Sequence, residues 1–207
     1  MKLRLLGMVF VLMLMNGSVI AERANQFYDP GPGQITTAVW NTQGDRVAAG
    51  YGDGTLRIWD DIGTLLATFD AHTASIEAIA WHTDDSLLAT ASKDLTVRLW
   101  STTAVPWEPQ RIDFDGREFV RDLAWSDDRL FGVTADDAAS QTFWEWDQRG
   151  RVLHAQGLPF GSGDQVAVHP TTETRLAIGK LDTVYILDLP TFTILETINF
   201  STDHNET

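Results

Sequence analysis

The sequence contains no cysteine among its 207 residues. Disulfide bonds and thiolate metal ligands are therefore excluded. Basic residues are also scarce, because 15 lysines and arginines stand against 29 aspartates and glutamates, which gives a formal net charge of −14. A negative protein surface repels phosphate backbones and anionic lipids. We therefore expect no nucleic-acid partner, and the excess of acid favours solubility.

The sequence motifs of common enzymes and metal sites are missing as well. The chain has no G-x-S-x-G nucleophile elbow, no H-E-x-x-H zinc motif and no phosphate-binding G-x-x-x-x-G-K motif. None of the five histidines lies four residues from another. His82 and His169 lie in predicted turns, at equivalent positions of two sequence repeats, and we expect both side chains to be exposed to solvent. The sequence therefore predicts a protein that is not an enzyme, with no catalytic residue, metal or cofactor.

The first 21 residues differ in composition from the rest. Lys2 and Arg4 precede an apolar run at residues 5–15, and Ala21 follows Val19 at the spacing of a cleavage site. This pattern predicts a signal peptide over residues 1–21 and export to the periplasm or the medium. The alternative is an uncleaved membrane anchor, although the run is shorter than the ~20 residues that span a bilayer. Residues 22–34 are predicted to be a leader loop.

The remaining chain repeats a pattern of short strands. A shift of 41 residues aligns residues 35–60 with residues 76–101 without a gap, and eight of the 26 aligned positions are identical. A period of about 40–45 residues made of short strands is typical of a β-propeller blade. We predict an all-β chain with about four repeats, at residues 35–70, 71–114, 115–156 and 157–200. The fourth repeat is degenerate, since Val168 and Leu187 replace its two tryptophans.

Residues 201–207 read as the start of a truncated next repeat, so we expect an incomplete, open propeller. Each blade buries its faces against its neighbours, and an unclosed set leaves two apolar faces in water. Three explanations remain open at this point. The chain is a fragment of a longer propeller, four blades close by themselves, or two chains complete one ring by self-association through the open blade faces.

Two stretches carry a resemblance to a known family. Residues 53–60 read DGTLRIWD and residues 94–100 read DLTVRLW, and weaker copies occur at residues 146–147 and 187–188. In these motifs the chain resembles the WD40-repeat family over roughly residues 35–200. The resemblance implies a ring of four-stranded antiparallel blades. It also implies a protein that holds other proteins together without catalysis.

The resemblance further implies a structural hydrogen-bonded tetrad. In the second repeat its members would be His72, Ser92, Asp94 and Trp100, with the hydroxyl group linking the imidazole to the indole N–H. The other repeats keep only parts of this set, namely Asp53 and Trp59 in the first repeat and Thr134, Asp136 and Trp146 in the third. Buried polar groups need such partners, because each orphaned group costs about 1–3 kcal/mol.

The family often contacts its partners through one face of the ring. Carried onto this sequence, the charged positions of that face are Lys93, Glu77 and Arg121, which we predict to contact a protein or peptide. Glu145 is a separate anomaly, because it occupies a place that is apolar in other repeats. It predicts either a strand bulge or a polar group that faces a partner.

We therefore predict an exported, secreted scaffold that binds proteins or peptides. The alternative is the propeller part of a larger extracytoplasmic enzyme or ligand sensor, whose catalytic segment is absent from this chain. Membrane contact is expected only if the signal segment stays uncleaved.

Overall fold

The computed structural model describes residues 33–103, 107, 109–112, 118–134, 142–158, 163–169, 172 and 174–199. Over these residues the chain forms sixteen β-strands and no helix. The predicted signal peptide, most of the leader loop, Asp136 and residues 201–207 lie outside the described residues. The predicted all-β class is confirmed.

The strands form four antiparallel sheets of four, each in chain order. The first sheet contains β1 (Ile35–Trp40), β2 (Arg46–Tyr51), β3 (Thr55–Asp60) and β4 (Leu65–Asp70). The second contains β5 (Ile76–Trp81), β6 (Leu87–Ser92), β7 (Thr96–Ser101) and β8 (Pro109–Ile112). The third contains β9 (Val120–Ser126), β10 (Arg129–Thr134), β11 (Thr142–Asp147) and β12 (Val152–Gly157). The fourth contains β13 (Gln165–Val168), β14 (Arg175–Lys180), β15 (Thr183–Asp188) and β16 (Thr193–Asn199).

Aspartates shape the turns that join these strands. The Asp53 carboxylate accepts a hydrogen bond from the Thr55 amide at 3.0 Å, and the Asp94 carboxylate accepts one from the Thr96 amide at the same distance. Asp60 binds the Thr64 amide in the same way at the other end of the first sheet. A carboxylate that satisfies nearby amides stabilises a tight turn without help from another strand. These three aspartates therefore stabilise the turns in which they lie.

The four sheets follow one another in chain order. The strands β1, β5, β9 and β13 lie side by side and form the inner edges of the sheets. An apolar cluster fills each space between neighbouring sheets, and both sheets contribute to it. Most of the buried apolar side chains thus lie between sheets, as packing of propeller blades requires.

The set of sheets is not closed into a ring. The sequential inner strands contact one another, whereas the first and fourth sheets share no extensive contact. In β16 every residue is exposed, and in β1 Trp40 is 57% exposed. The prediction of an open propeller is therefore confirmed.

The first sheet closely approaches the connection to the second sheet at a glycine. Gly54 has a φ of +88°, and a Cβ atom placed on it would lie 2.1 Å from the His72 carbonyl oxygen. The Gly54 carbonyl also accepts a hydrogen bond from the His72 amide at 2.9 Å. Only glycine combines this backbone conformation with so close a contact. Glycine is therefore needed at position 54 for packing between these two sheets, although Leu95 holds the matching position of the second repeat with a φ of 65°.

A buried carboxylate joins the same two sheets at their other end. Asp85 is 8% exposed and lies in the turn between β5 and β6. Its carboxylate accepts hydrogen bonds from Asn41 Nδ2 at 2.9 Å, from the Thr42 amide at 2.8 Å and from the Gln43 amide at 3.1 Å. One side chain of the second sheet therefore satisfies three donors in the first turn of the first sheet.

Glu145 neither faces a partner nor creates a bulge of its own. Its side chain is buried, and Arg129 Nη1 donates a hydrogen bond to its Oε1 at 3.0 Å. The register shift beside Glu145 in the β11–β12 pair recurs in the first and fourth sheets, where an isoleucine holds the corresponding place. The bulge therefore does not depend on the acid, and the burial of Glu145 is explained by its ion pair with Arg129.

Candidate interaction surface

The sheets present two edges, which carry different residues. The upper edge holds the starts of the inner strands, the turns between second and third strands, and the connections between sheets. The lower edge holds the turns between first and second strands and those between third and fourth strands. This division follows from the antiparallel registers, in which Ile35 pairs with Tyr51 and Thr55 pairs with Asp70.

The three residues predicted to contact a partner all lie at the upper edge. Lys93 Nζ is 3.3 Å from Glu77 Oε1, and the Glu77 carboxylate also accepts a hydrogen bond from Ser75 Oγ at 2.7 Å. The Lys93 ammonium group lies 5.8 Å from the centre of the Phe119 ring, which belongs to the connection before the third sheet. The structure therefore brings Lys93 and Glu77 together, and Lys93 extends towards the next blade.

Arg121 makes a separate ion pair one blade further on. Its Nη1 is 3.1 Å from Asp164 Oδ1, just before the first strand of the fourth sheet. The side chains of Lys93 and Arg121 are 52% and 46% exposed. Exposed ion pairs contribute only about 0–1 kcal/mol to stability. The two cations can therefore exchange their present partners for those of another molecule at little cost to the fold.

The second sheet contains a continuous hydrogen-bonded network beneath this edge. His72 Nδ1 lies 3.0 Å from Asp94 Oδ2 and 3.0 Å from Thr96 Oγ1. On the other side of the imidazole, Nε2 lies 2.8 Å from Thr90 Oγ1, which also accepts a hydrogen bond from the Trp100 indole at 3.0 Å. A chain of buried polar groups thus links the upper edge to the core.

The hydroxyl group that links His72 to Trp100 belongs to Thr90, so the role predicted for Ser92 is wrong. Ser92 Oγ instead donates to the Ala74 carbonyl at 2.9 Å and accepts from the Asp94 amide at 3.0 Å. Ser92 therefore joins the connection before β5 to the turn after β6. Both residues hold the upper edge in place, but only Thr90 reaches the indole.

The other sheets lack this linking hydroxyl group. In the strand register Ala49 takes the place of Thr90 in the first sheet, where it forms a cluster with Tyr51 and Trp59. In the third sheet Gly132 occupies the position of Thr90, and a Cβ atom on Gly132 would lie 2.9 Å from the Trp146 ring. These two tryptophans therefore pack against small residues.

The remaining predicted members of the tetrads have local partners. Asp53 binds the Thr55 amide in its own turn. Thr134 Oγ1 donates a hydrogen bond to Glu118 Oε2 at 2.9 Å, so a carboxylate stands near the place where the second sheet has its histidine network. Among the described residues, the full link from carboxylate to indole is seen in the second sheet.

His82 is buried, which corrects the prediction that it is solvated. It is 3% exposed, its Nδ1 lies 2.6 Å from Asp84 Oδ1, and its ring meets the Trp125 ring edge-on at 4.8 Å. Hydrogen bonds from Ser86, together with His82, lower the pKa of Asp84 to about 2. The third sheet covers this turn of the second sheet, a contact that local sequence does not reveal. His169, at the matching turn of the fourth sheet, is exposed.

The burial of His72 predicts a pH dependence of stability. Burial lowers the pKa of His72 below its ordinary value, and Asp94 offsets only part of this effect. The unfolded chain then binds the proton more readily than the folded chain does. The stability that His72 contributes is therefore complete above the ordinary pKa of about 6.5 and is lost as the pH falls through the lowered pKa of the folded chain.

We expect the thermal midpoint of the wild type to fall between about pH 7.5 and pH 5 more steeply than that of His72→Asn. Calorimetry across this range measures the difference. His169→Asn is the control, since it removes an exposed histidine and should keep the slope of the wild type. Equal slopes in the wild type and His72→Asn would contradict a neutral, buried imidazole.

Within the described part of the chain, no three histidine, cysteine, aspartate or glutamate side chains converge in a way that could hold a metal ion. In that same part, no helix has the length and apolar character needed to cross a bilayer.

Comparison with known proteins finds a family of repeats that part of this chain resembles. The family model described as "WD domain, G-beta repeat" matches residues 25–60 and 63–101. The "Probable cytosolic iron-sulfur protein assembly protein Ciao1" of Culex quinquefasciatus is 32% identical over 84 residues, which make up 40% of this chain and 25% of that protein. The human "F-box-like/WD repeat-containing protein TBL1X" is 34% identical over 108 residues, which make up 52% of this chain and 18% of that protein. The chain thus spans a quarter or less of the length of these relatives.

Solved structures show the same fold. A chain of the "Crystal Structure of Mitotic Checkpoint Complex" matches with a TM-score of 0.69 at 18% identity, over 83% of this chain and 52% of that one. The Myceliophteria thermophila Cps50 (Swd1) β-propeller domain matches with a TM-score of 0.68 at 19% identity, over 83% of this chain and 56% of that domain. The repeated blades and the matched repeats lead to one conclusion: residues 25–60 and 63–101 are similar to WD40 repeats, and the sheets have the fold of β-propeller blades.

Proposed function

We propose that this protein is an exported, non-catalytic scaffold whose upper edge binds a protein or peptide partner. The observation that carries the proposal is the pair of exposed cations, Lys93 and Arg121, that extend from one blade towards the next. The turn that carries Lys93 is held from below by the buried network of the second sheet and by Ser92. Exposed charged side chains that can change their ion-pair partners, carried on a backbone held by buried hydrogen bonds, suit recognition of another protein surface.

The charge of the chain favours a partner with basic segments. The formal net charge is −14, and removal of residues 1–21 would take away Lys2 and Arg4 and change it to −14 − 2 = −16. A field of this sign accelerates the approach of a cationic partner. At the upper edge Glu77 and Asp164 would then receive the basic groups of the partner, while Lys93 and Arg121 would turn to its acidic groups.

The relatives support a binding role of this kind. The matching chain among the solved structures is part of an assembly described as a mitotic checkpoint complex. The name of the human relative describes an F-box-like protein that contains WD repeats. Export rests on residues 1–21 alone, whose composition is that of a signal peptide.

A photo-cross-linking experiment tests the proposal. A benzophenone amino acid is placed at Lys93 in the full-length protein and, as a matched control, at Gln43, an exposed residue in a turn of the lower edge. We expect discrete cross-linked species from position 93 that are absent from position 43, and we expect their loss when Glu77 and Arg121 are changed to alanine. Identical products from both positions would overturn the choice of surface.

The same preparation tests export. Protein recovered from the extracytoplasmic fraction should begin at Glu22, and its absence from that fraction would refute the predicted localisation.

A further inference from the structure

A pocket of about 360 Å³ opens at the outer rim between the first and second sheets. We call it the rim pocket. It lies away from the upper-edge residues discussed above, and its volume falls within the range of small ligand sites. Residues of β2, β3 and β4 form one wall, and the segment after β7 forms the other. The lining includes Arg46, Ile58, Leu66, Phe69, Thr102 and Trp107.

Stacked aromatic rings make the apolar wall of the rim pocket rigid. The rings of Trp107 and Phe69 stack at 5.7 Å with an angle of 16° between their planes. Trp107 also meets Trp81 edge-on at 6.3 Å, and Phe69 lies 5.1 Å from Trp100. Leu66 is 52% exposed. The pocket therefore offers a preformed surface for an apolar or aromatic side chain.

The third sheet shows which charged group would bind to Arg46 in the rim pocket. In the strand registers, Arg46 and Arg129 are equivalent, because Arg46 pairs with Asp60 and Arg129 pairs with Asp147. Two residues before those aspartates, the first sheet has Ile58 and the third has Glu145. Arg129 is bound by Glu145 at 3.0 Å.

The guanidinium group of Arg46 has no such carboxylate. Its side chain makes no hydrogen bond or ion pair with another residue in the described ranges, although the chain as a whole is strongly acidic. The isoleucine that replaces the acid lies in the wall of the rim pocket and leaves the guanidinium group without its partner. A carboxylate supplied from outside would restore the arrangement that the third sheet makes internally.

The two other rims between neighbouring sheets are closed by direct contacts. Between the second and third sheets, Gln110 Nε2 donates to the Arg149 carbonyl at 2.8 Å, and a Cβ atom on Gly150 would lie 2.9 Å from Ile112. Between the third and fourth sheets, the rings of His154 and Phe192 stack at 3.9 Å. Within the described ranges, the first rim therefore differs from the other two, which direct contacts cross.

We propose that the rim pocket binds a peptide segment in which an acidic side chain stands next to an aromatic or large aliphatic one. The carboxylate pairs with Arg46, and the apolar side chain packs against Leu66, Phe69 and Trp107. An arginine–carboxylate pair beside an apolar wall is stronger than one in open water. The site is separate from the upper edge, so that one chain would bind two partners at once.

The test measures fluorescence anisotropy of a labelled peptide, Ser-Gly-Phe-Glu-Gly-Ser, titrated with the full-length protein. We expect saturable binding, and at least about tenfold weaker binding when the glutamate of the peptide is replaced by glutamine or when Arg46 is changed to alanine. Arg175→Ala is the matched control, because Arg175 holds the same strand position in the fourth sheet and is exposed. It should bind the peptide as the wild type does.

A second pair of variants tests the apolar wall. Leu66→Glu should abolish binding, whereas Leu153→Glu should leave it unchanged, since Leu153 occupies the matching position of β12 and is also 52% exposed. Ile58→Glu would supply the missing carboxylate from within and should compete with the peptide. Thermal melting confirms that each variant is folded.

Equal affinity for the glutamate and glutamine peptides would overturn the proposal, as would full affinity in folded Arg46→Ala. Absence of binding up to about 1 mM protein would also overturn it, and would indicate that a segment of the chain itself or a second copy fills the pocket.

Discussion

Trp100→Ala is expected to lower the free energy of unfolding by about 3–5 kcal/mol, the range typical of large-to-small changes of buried aromatic residues. Trp100 is 2% exposed and packs against Phe69 of the first sheet at 5.1 Å. Its indole N–H also donates to Thr90, which in turn lies beside His72. The substitution therefore opens a cavity between two blades and removes a partner from a buried polar network. Chemical denaturation monitored by circular dichroism measures the loss.

Two further variants separate these contributions. Trp100→Phe keeps most of the apolar volume but removes the N–H donor, so it should cost clearly less than alanine. Trp40→Ala removes a tryptophan that is 57% exposed and should change stability little. If Trp100→Ala cost no more than Trp40→Ala, the central place of Trp100 between the blades would be refuted.

Asp85→Ala is expected to lower the free energy of unfolding by roughly 2–4 kcal/mol. The carboxylate accepts three hydrogen bonds from the first sheet, two of them from backbone amides. Alanine would leave those amides without their buried acceptor at a contact between two blades. The thermal midpoint and the denaturant midpoint should both fall, and protection of the Thr42 and Gln43 amides from hydrogen exchange should be lost.

Asp127→Ala provides the matched control for this change. Asp127 lies in the corresponding turn of the third sheet and also has a positive φ, of 42° against 62° for Asp85, but it is exposed. Both substitutions therefore place alanine in a left-handed turn, and the difference between them reports the hydrogen bonds to the first sheet. Similar losses in the two variants would show that backbone strain accounts for the effect.

The arrangement of strands could be predicted because the residues that define each repeat lie close to one another in the sequence. Tryptophans at a fixed offset and aspartates in the turns between β2–β3 and β6–β7 can be recognised within a single repeat. β1 and β5, for example, both begin at an isoleucine and end at a tryptophan, at the 41-residue offset of the repeat. Local signals of this kind need no knowledge of what packs against the sheet.

The choice between Thr90 and Ser92 required the register of the strands. Trp100 pairs with Leu88 across β6 and β7. At about 3.3 Å per residue, Thr90 is two residues from that pair and Ser92 is four residues away, on the same face of the strand. Only the nearer hydroxyl group is within reach of the indole. The register of β6 against β7 therefore selects Thr90.

Contacts between blades could not be predicted from the repeat. The burial of His82 depends on Trp125 of the next sheet. Among the described residues, Arg46 lacks a carboxylate partner because the first sheet has Ile58 at the position where the third sheet has Glu145. Each of these features depends on the partner across the gap between sheets, which differs from blade to blade.

The open row of sheets has a consequence for folding. Every strand pairs with a strand next to it in sequence, and every sheet packs on the one before or after it. Such a chain behaves as a linear array in which order spreads from one unit to its neighbour. The second sheet, with its buried network and a packed sheet on each side, is the natural nucleus. In the described part of the chain the fourth sheet packs against the third sheet. We therefore expect it to fray before the second sheet does, so that the cooperativity of unfolding declines from the second sheet to the fourth.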